Sequence, residues 1–238
     1  MQTLLAIESS SPVLSLALKT SKGKVYTESL KGLSSHAENI LPILQRLLKK
    51  GRVSLEKINA FLIGRGPGSF TGLRVGFATV KGFLAAGAVD CYGALSLDLI
   101  AENTAFDRLP ESAKLAVALD AFRGKIYFRL YTRKGGNWKP DGEPQVLLPA
   151  EMLAALPDGA HVTGSALEKH GDFLKQNLGS KKIYFAPEKD WHPSADALIR
   201  LFDKKDSRLE SIPAHKLLPS YFRLSEAEER KQEHAAGC

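Results

Sequence analysis

Two acids and one glycine-dense loop are the residues of this chain best suited to do chemistry. Glu8 ends an apolar, strand-like run and is followed by Ser9-Ser10-Ser11, where a hairpin can hold a phosphate with backbone amides and hydroxyls. Asp120 ends a second such run, ahead of Ala121-Phe122-Arg123-Gly124. Two acids at strand ends facing a cleft between lobes is how a sugar kinase or an actin-like ATPase places magnesium and nucleotide. Between them in sequence lies Gly64-Arg65-Gly66-Pro67-Gly68-Ser69-Phe70-Thr71-Gly72-Leu73-Arg74-Val75-Gly76. Glycine admits positive φ and close backbone approach, and a helix N-terminus attracts anions, so the loop invites comparison with phosphate cradles. It fits neither template. The frame GxxxxGK[ST] fails because Ser69, Thr71 and Leu73 stand where its second glycine belongs, and GxGxxG fails at Ser69 and Thr71. A tight-packing turn is favoured on these grounds. Glu8, Ser10 and Asp120 then read either as turn residues or as a degenerate nucleotide site.

Other catalytic frames are missing from the sequence. Gly68-Ser69-Phe70-Thr71-Gly72 carries its serine one place too early for a nucleophile elbow, and Ser69 reads most simply as a helix N-cap. None of the six histidines pairs at i, i+4, so no zinc-protease motif is present. His36, at a helix start, reads as a polar N-terminal residue. Two cysteines, Cys91 and Cys238, make no disulfide framework and no CxxC.

The elements that must position these residues follow from periodicity. Residues 4–8, 13–18 and 24–30 read as three hairpin-linked strands, and Ser35 with Glu38 forms a capping box. The helix after it shows Ala37, Ile40, Leu41, Leu44, Leu47 and Leu48 on one face, with Pro42 inside it and Gly51 at its end. Strand 60–63, the glycine loop, a helix to about Ala86, a strand near 89–92 and a helix from Ser96 follow. The pattern restarts with strands 115–120 and 126–132, then 146–148, helix 150–155, strand 160–163, helix 166–177, strand 183–185 and helix 194–202. Strands that pass into alternating helices suggest mixed sheets covered on both faces. The expected division is a first lobe over 1–108 and a second over 109–224, with helix 194–204 packing back on the first. Asp107–Pro110 marks the boundary, and 225–238 forms a charged tail.

The second helix carries a ridge of small residues, Ala78, Gly82 and Ala86, and a second small pair, Gly72 and Gly76. Such a surface lets another helix approach closely. Tight packing on the chain's own sheet is one reading. The other is a helix–helix docking face built from His36, Ile40, Ile43, Leu44 and Leu47 together with Leu73, Gly76, Phe77, Val80 and Phe83.

With 238 residues, 44% of them hydrophobic, the chain has ample material for two cores. Its 33 basic and 26 acidic residues leave a formal charge of +7, which points weakly to a polyanionic partner such as RNA. The basic residues are scattered, so a solvated surface is favoured over a nucleic-acid groove. The N-terminus lacks the basic stretch and long apolar core of a signal peptide. No apolar run reaches the 18 or so residues of a membrane helix, and a soluble, cytoplasmic protein with no membrane partner is expected.

Five segments together resemble the TsaB (YeaZ) family in order and spacing: Ala6–Ser10, Ser35–Pro42, the loop Gly64–Gly76, Leu119–Tyr127 and Pro219–Arg223. The similarity runs to about Glu229, and the loop is its most specific part. The resemblance implies an α/β, two-lobe actin/Hsp70/sugar-kinase-like (ASKHA) fold with mixed sheets flanked by helices. It implies a part in placing the threonylcarbamoyl group on N6 of the adenosine next to the tRNA anticodon. In that pathway the related TsaD subunit is the transferase and holds a metal through an HxxxH pair, which this sequence lacks. A TsaB-like chain is then a non-catalytic scaffold with no metal and no required cofactor. It binds a TsaD-like transferase, helps recruit a TsaE-like ATPase, self-associates as a homodimer through the same helices and meets tRNA indirectly through the complex. Glu8 stands where the family more often shows Asp, which lowers the prospect of ATP or ADP binding. The competing class is an actin-fold ATPase or small-molecule kinase using Glu8 and Asp120.

Overall fold

The computed structural model describes residues 1–32, 36–87, 89–103 and 109–220. The cap expected at Ser35, the boundary residue Asp107 and the tail 225–238 lie outside the described residues.

The chain begins with three antiparallel strands, β1 (Leu4–Glu8), β2 (Val13–Lys19) and β3 (Val25–Lys31). Helix α1 (His36–Gly51) crosses to β4 (Ala60–Gly64), which pairs in parallel with β1. Helix α2 (Phe70–Ala85) leads to β5 (Asp90–Ala94), parallel to β4, and α3 (Ser96–Asn103) follows. The order across this sheet is β3-β2-β1-β4-β5. The second half repeats the plan with β6 (Lys114–Asp120), β7 (Ile126–Lys134) and β8 (Asn137–Pro140) antiparallel. A short β9 (Gln145–Leu147) and α4 (Pro149–Ala155) precede β10 (His161–Thr163), α5 (Ala166–Gln176) and β11 (Tyr184–Phe185). Its order is β8-β7-β6-β10-β11, so each lobe is an antiparallel hairpin trio extended by two parallel strands. This is the two-lobe actin-like α/β architecture.

Side-chain alternation along the strands sorts each sheet into two covered faces. On the first sheet, Leu5, Ile7, Leu14, Leu16, Phe61 and Ile63 pack under α1 and α2. The opposite face is lined by smaller residues, including Ala6, Ala17, Ala60 and Ala94. Against it lies α6 (Ala195–Asp203), whose Ala195, Ala197, Leu198 and Leu201 are buried. Beyond α6, β12 (Glu210–Ser211) pairs with β5, and Leu217 enters the first core. The first lobe is therefore built from both ends of the chain, whereas a division at 108/109 leaves 210–217 in the second. The exchange is mutual. Helix α3 follows the first sheet in sequence, yet Leu97, Ile100 and Ala101 pack on Leu115, Val117, Leu119 and Tyr131 of the second.

Strands β8 and β12 escape a reading based on periodicity. One is four residues ending in a proline, which suits a sheet edge, and the other is two polar residues recruited by an existing strand.

Candidate functional site

Glu8 stands at the C-terminal end of β1, where β2 turns away and the parallel strand β4 delivers the glycine loop. Its carboxylate is fully buried. Oε1 accepts the Ser10 amide at 2.6 Å, and the Ser96 hydroxyl donates to Oε2 at 3.5 Å. The Ser10 and Ser96 hydroxyls lie 2.7 Å apart. Burial pushes the Glu8 carboxyl above its ordinary range, opposed by these hydrogen bonds from Ser10 and Ser96.

The glycine loop seals this cluster. A Cβ on Gly64 would overlap the Glu8 carboxylate, and one on Gly68, whose φ is +158°, would run into the Ser10 carbonyl. The Ser69 amide donates to the Ser10 carbonyl at 2.6 Å, and the Gly72 amide to the Ser69 hydroxyl at 3.2 Å. Ser69 is thus the N-cap of α2. These amides are spent on the chain's own oxygens, and the loop lies as a plug on the β1–β2 turn. His36 braces the same turn, one ring nitrogen 3.0 Å from the Ser11 carbonyl and the other 3.0 Å from that of Gly32.

Asp120 sits in the corresponding place of the second lobe, and its surroundings differ. It makes an ion pair with Lys169, accepts the Phe122 amide at 3.1 Å and donates its own amide to the Ser165 hydroxyl oxygen at 3.4 Å. A cavity of about 180 Å³ separates Ser10, Ser11 and Gly68 on one lobe from Asp120, Ser165 and Lys169 on the other. Drug-sized ligands occupy about 300–1,000 Å³, so the cavity is small for a nucleotide. The structure brings Ser10 and Asp120 to this cleft but turns Glu8 away from it, beneath the loop. Among the described residues, no three His, Cys, Asp or Glu side chains gather as a metal-binding group. No helix among them is long and apolar enough to cross a membrane.

The docking face expected from periodicity is corrected by burial. Ile40, Ile43, Leu44 and Leu47 of α1, with Leu73, Phe77 and Val80 of α2, are core residues of the first lobe. His36 is buried under the turn, Gly76 presses against Ser9, and Phe83 stacks on Phe61 with ring centroids 5.4 Å apart. Nine of these ten residues are buried, and Phe83 is partly buried. The exposed sides of the same helices carry other residues: Leu41, Pro42, Gln45 and Arg46 on α1, and Arg74, Ala78, Lys81, Gly82 and Ala85 on α2.

Sequence reasoning passes over a buried charge cluster beside α3. Asp98 receives Arg129 Nη1 at 3.1 and 3.2 Å and the Tyr131 hydroxyl at 2.9 Å. Burial pushes its carboxyl up against the pull of Arg129 and Tyr131. Glu102, one turn on, pairs with Arg208 at 2.9 Å and Lys204 at 2.7 Å. In the sequence Asp98 looks like an ordinary acid in a first helical turn, and its partners are more than thirty residues away.

A family model described as TsaD, tRNA N6-adenosine threonylcarbamoyltransferase, matches residues 31–192. The chain is 26% identical to the tRNA threonylcarbamoyladenosine biosynthesis protein TsaB of Haemophilus influenzae over 230 residues, 93% of each chain. It is 28% identical to the Bacillus subtilis protein of the same name, covering 95% of this chain and 96% of that one. The solved structure of YeaZ from Pseudomonas aeruginosa superposes with a TM-score of 0.78 at 26% identity, over 93% of this chain and all of that one. In sequence and in topology, the chain belongs to the TsaB (YeaZ) family.

Proposed function

We propose that this chain is a non-catalytic scaffold subunit of the cytoplasmic machinery that installs the threonylcarbamoyl group on tRNA, and that it binds a TsaD-like transferase. The supporting observation is the outer strip of α2. Ala78, Gly82 and Ala85 are exposed, and a Cβ on Gly82 would have nothing within 4 Å. Glycine in a helix interior costs about 1 kcal/mol relative to alanine, and no contact inside the chain asks for it here. A partner helix does: helices pack at interaxial distances of about 8–10 Å, and small side chains permit the closest approach. Leu41, half exposed on the neighbouring α1, adds an apolar contact beside the strip.

The same strip serves a homodimer when the transferase is absent, and a TsaE-like ATPase joins the assembled pair. Transfer RNA is met through the complex. The chain needs no cofactor in this reading, since Glu8 lies under the loop and the cleft beside Asp120 is small. Light scattering after size exclusion tests the proposal, on the chain alone and mixed with the TsaD-like subunit of the same organism. A mixed peak replaces the self-associated one, and both Gly82→Trp and Ala78→Arg abolish it while circular dichroism stays unchanged. Binding retained by both variants overturns it.

A further inference from the structure

The charge cluster beside α3 lies where the two lobes exchange helices. Helix α3 covers the second sheet and α6 the first, and the two helices pack against each other, so the path between the sheets runs through them. Every step of that path carries a paired charge. Asp98 fastens α3 to β7 through Arg129 and Tyr131. Glu102 fastens α3 to the α6 region through Arg208 and Lys204. Asp206, just past α6, is gripped by Arg208 Nε at 2.9 Å, and Lys139 of β8 reaches it at 3.7 Å. At its N-terminus α3 is held to the sealed site, where the Ser96 amide donates to the Gly66 carbonyl at 2.7 Å and its hydroxyl meets Ser10.

We propose that α3 is a fixed joint, in which Asp98–Arg129–Tyr131 and Glu102–Arg208–Asp206 lock the lobes at one angle. The cleft then neither opens nor closes when nucleotide or a partner is supplied. Breaking one partner of a buried pair leaves an uncompensated charge, so the lock is cooperative and a single substitution releases it. This inference stands apart from the docking proposal, because the isolated chain already displays it.

Pulsed electron-spin distance measurement tests it, with nitroxides on Lys22→Cys in the first lobe and Gln176→Cys in the second, in a Cys238→Ser background. Cys91 is buried with its thiol pushed up to about 12, so it stays unlabelled at neutral pH. One narrow distance is expected, unmoved by magnesium-ATP or by the TsaD-like subunit. Arg129→Met shifts or splits it while circular dichroism reports folded lobes. Two distances in the parent chain, or a peak that moves with magnesium-ATP, overturns the proposal, as does an Arg129→Met variant as narrow as its parent. If Arg129→Met fails to fold, the parent measurements with and without nucleotide decide alone.

Discussion

The two lobes share one strand order and place an acid at the end of the same central strand, yet they treat that acid in opposite ways. In the first lobe, the segment between β4 and α2 runs from Arg65 to Ser69 and folds over Glu8, leaving the carboxylate no exposure. In the second, only Gly164 and Ser165 separate β10 from α5, and Asp120 stays at the cleft with an ion pair to a half-exposed Lys169. Both loops press glycine onto a central strand, since a Cβ on Gly164 would overlap the Ala118 carbonyl. The segment after the parallel strand thus separates an acid sealed as a structural anchor from a half-buried one left facing the cleft. Topology alone does not.

The largest effect is expected at the contact that seals Glu8. Gly64→Ala should destabilise the chain by about 3 kcal/mol or more, because a methyl group in contact with a buried carboxylate overpacks a site without free volume. An unchanged melting temperature would mean that Glu8 is free to swing toward the cleft, and the contrast between the lobes would collapse. Next come the acids themselves. Glu8→Ala should cost about 2–4 kcal/mol, since it leaves the Ser10 amide without its acceptor beside a hollow. Asp120→Ala should cost less than about 1 kcal/mol, the usual worth of an ion pair with an exposed lysine. Denaturant titration of the two variants compares them directly, and equal losses would break the comparison.

Protonation sharpens it further. Folding raises the Glu8 pKa, so between the ordinary value of about 4.3 and the raised one the folded chain holds more protons than the unfolded chain. Stability from this group is fully present below that window and falls as pH climbs through it. Glu8→Gln should flatten this slope in melting curves taken across pH, and Asp120→Asn should leave it in place. The smallest effect is expected on the outer strip of α2. Gly82→Ala should stabilise the isolated chain by up to about 1 kcal/mol, because the site is open and helical. Destabilisation there would mean that the strip is already covered.

Much of the fold was legible from the residues. The strand and helix order, the restart of the pattern at Leu115, the cap at Ser69 and the packing role of the glycine loop all follow from local rules, because each depends on residues a few positions apart. The family resemblance carried the rest of the identity. The site was legible in part. Glu8 and Asp120 were visible as acids at strand ends, but nothing local distinguishes a sealed carboxylate from an open one.

Helices α1 and α2 show the limit most clearly. Periodicity selects the most apolar face, Ile40, Ile43, Leu44 and Leu47 on α1, and that is the face a folded chain buries in itself. The surface proposed for a partner must remain soluble without it, and it is marked only weakly, by Ala78, Gly82 and the exposed Leu41. By itself the sequence determined the elements, their amphipathic faces and the backbone positions that tolerate only glycine. The tertiary structure decided which helix covers which sheet, how Asp98 and Glu102 find partners more than thirty residues away, and whether an acid meets solvent. Those outcomes depend on the pairing of distant surfaces, and hydrophobic burial is non-directional, so no local pattern encodes them.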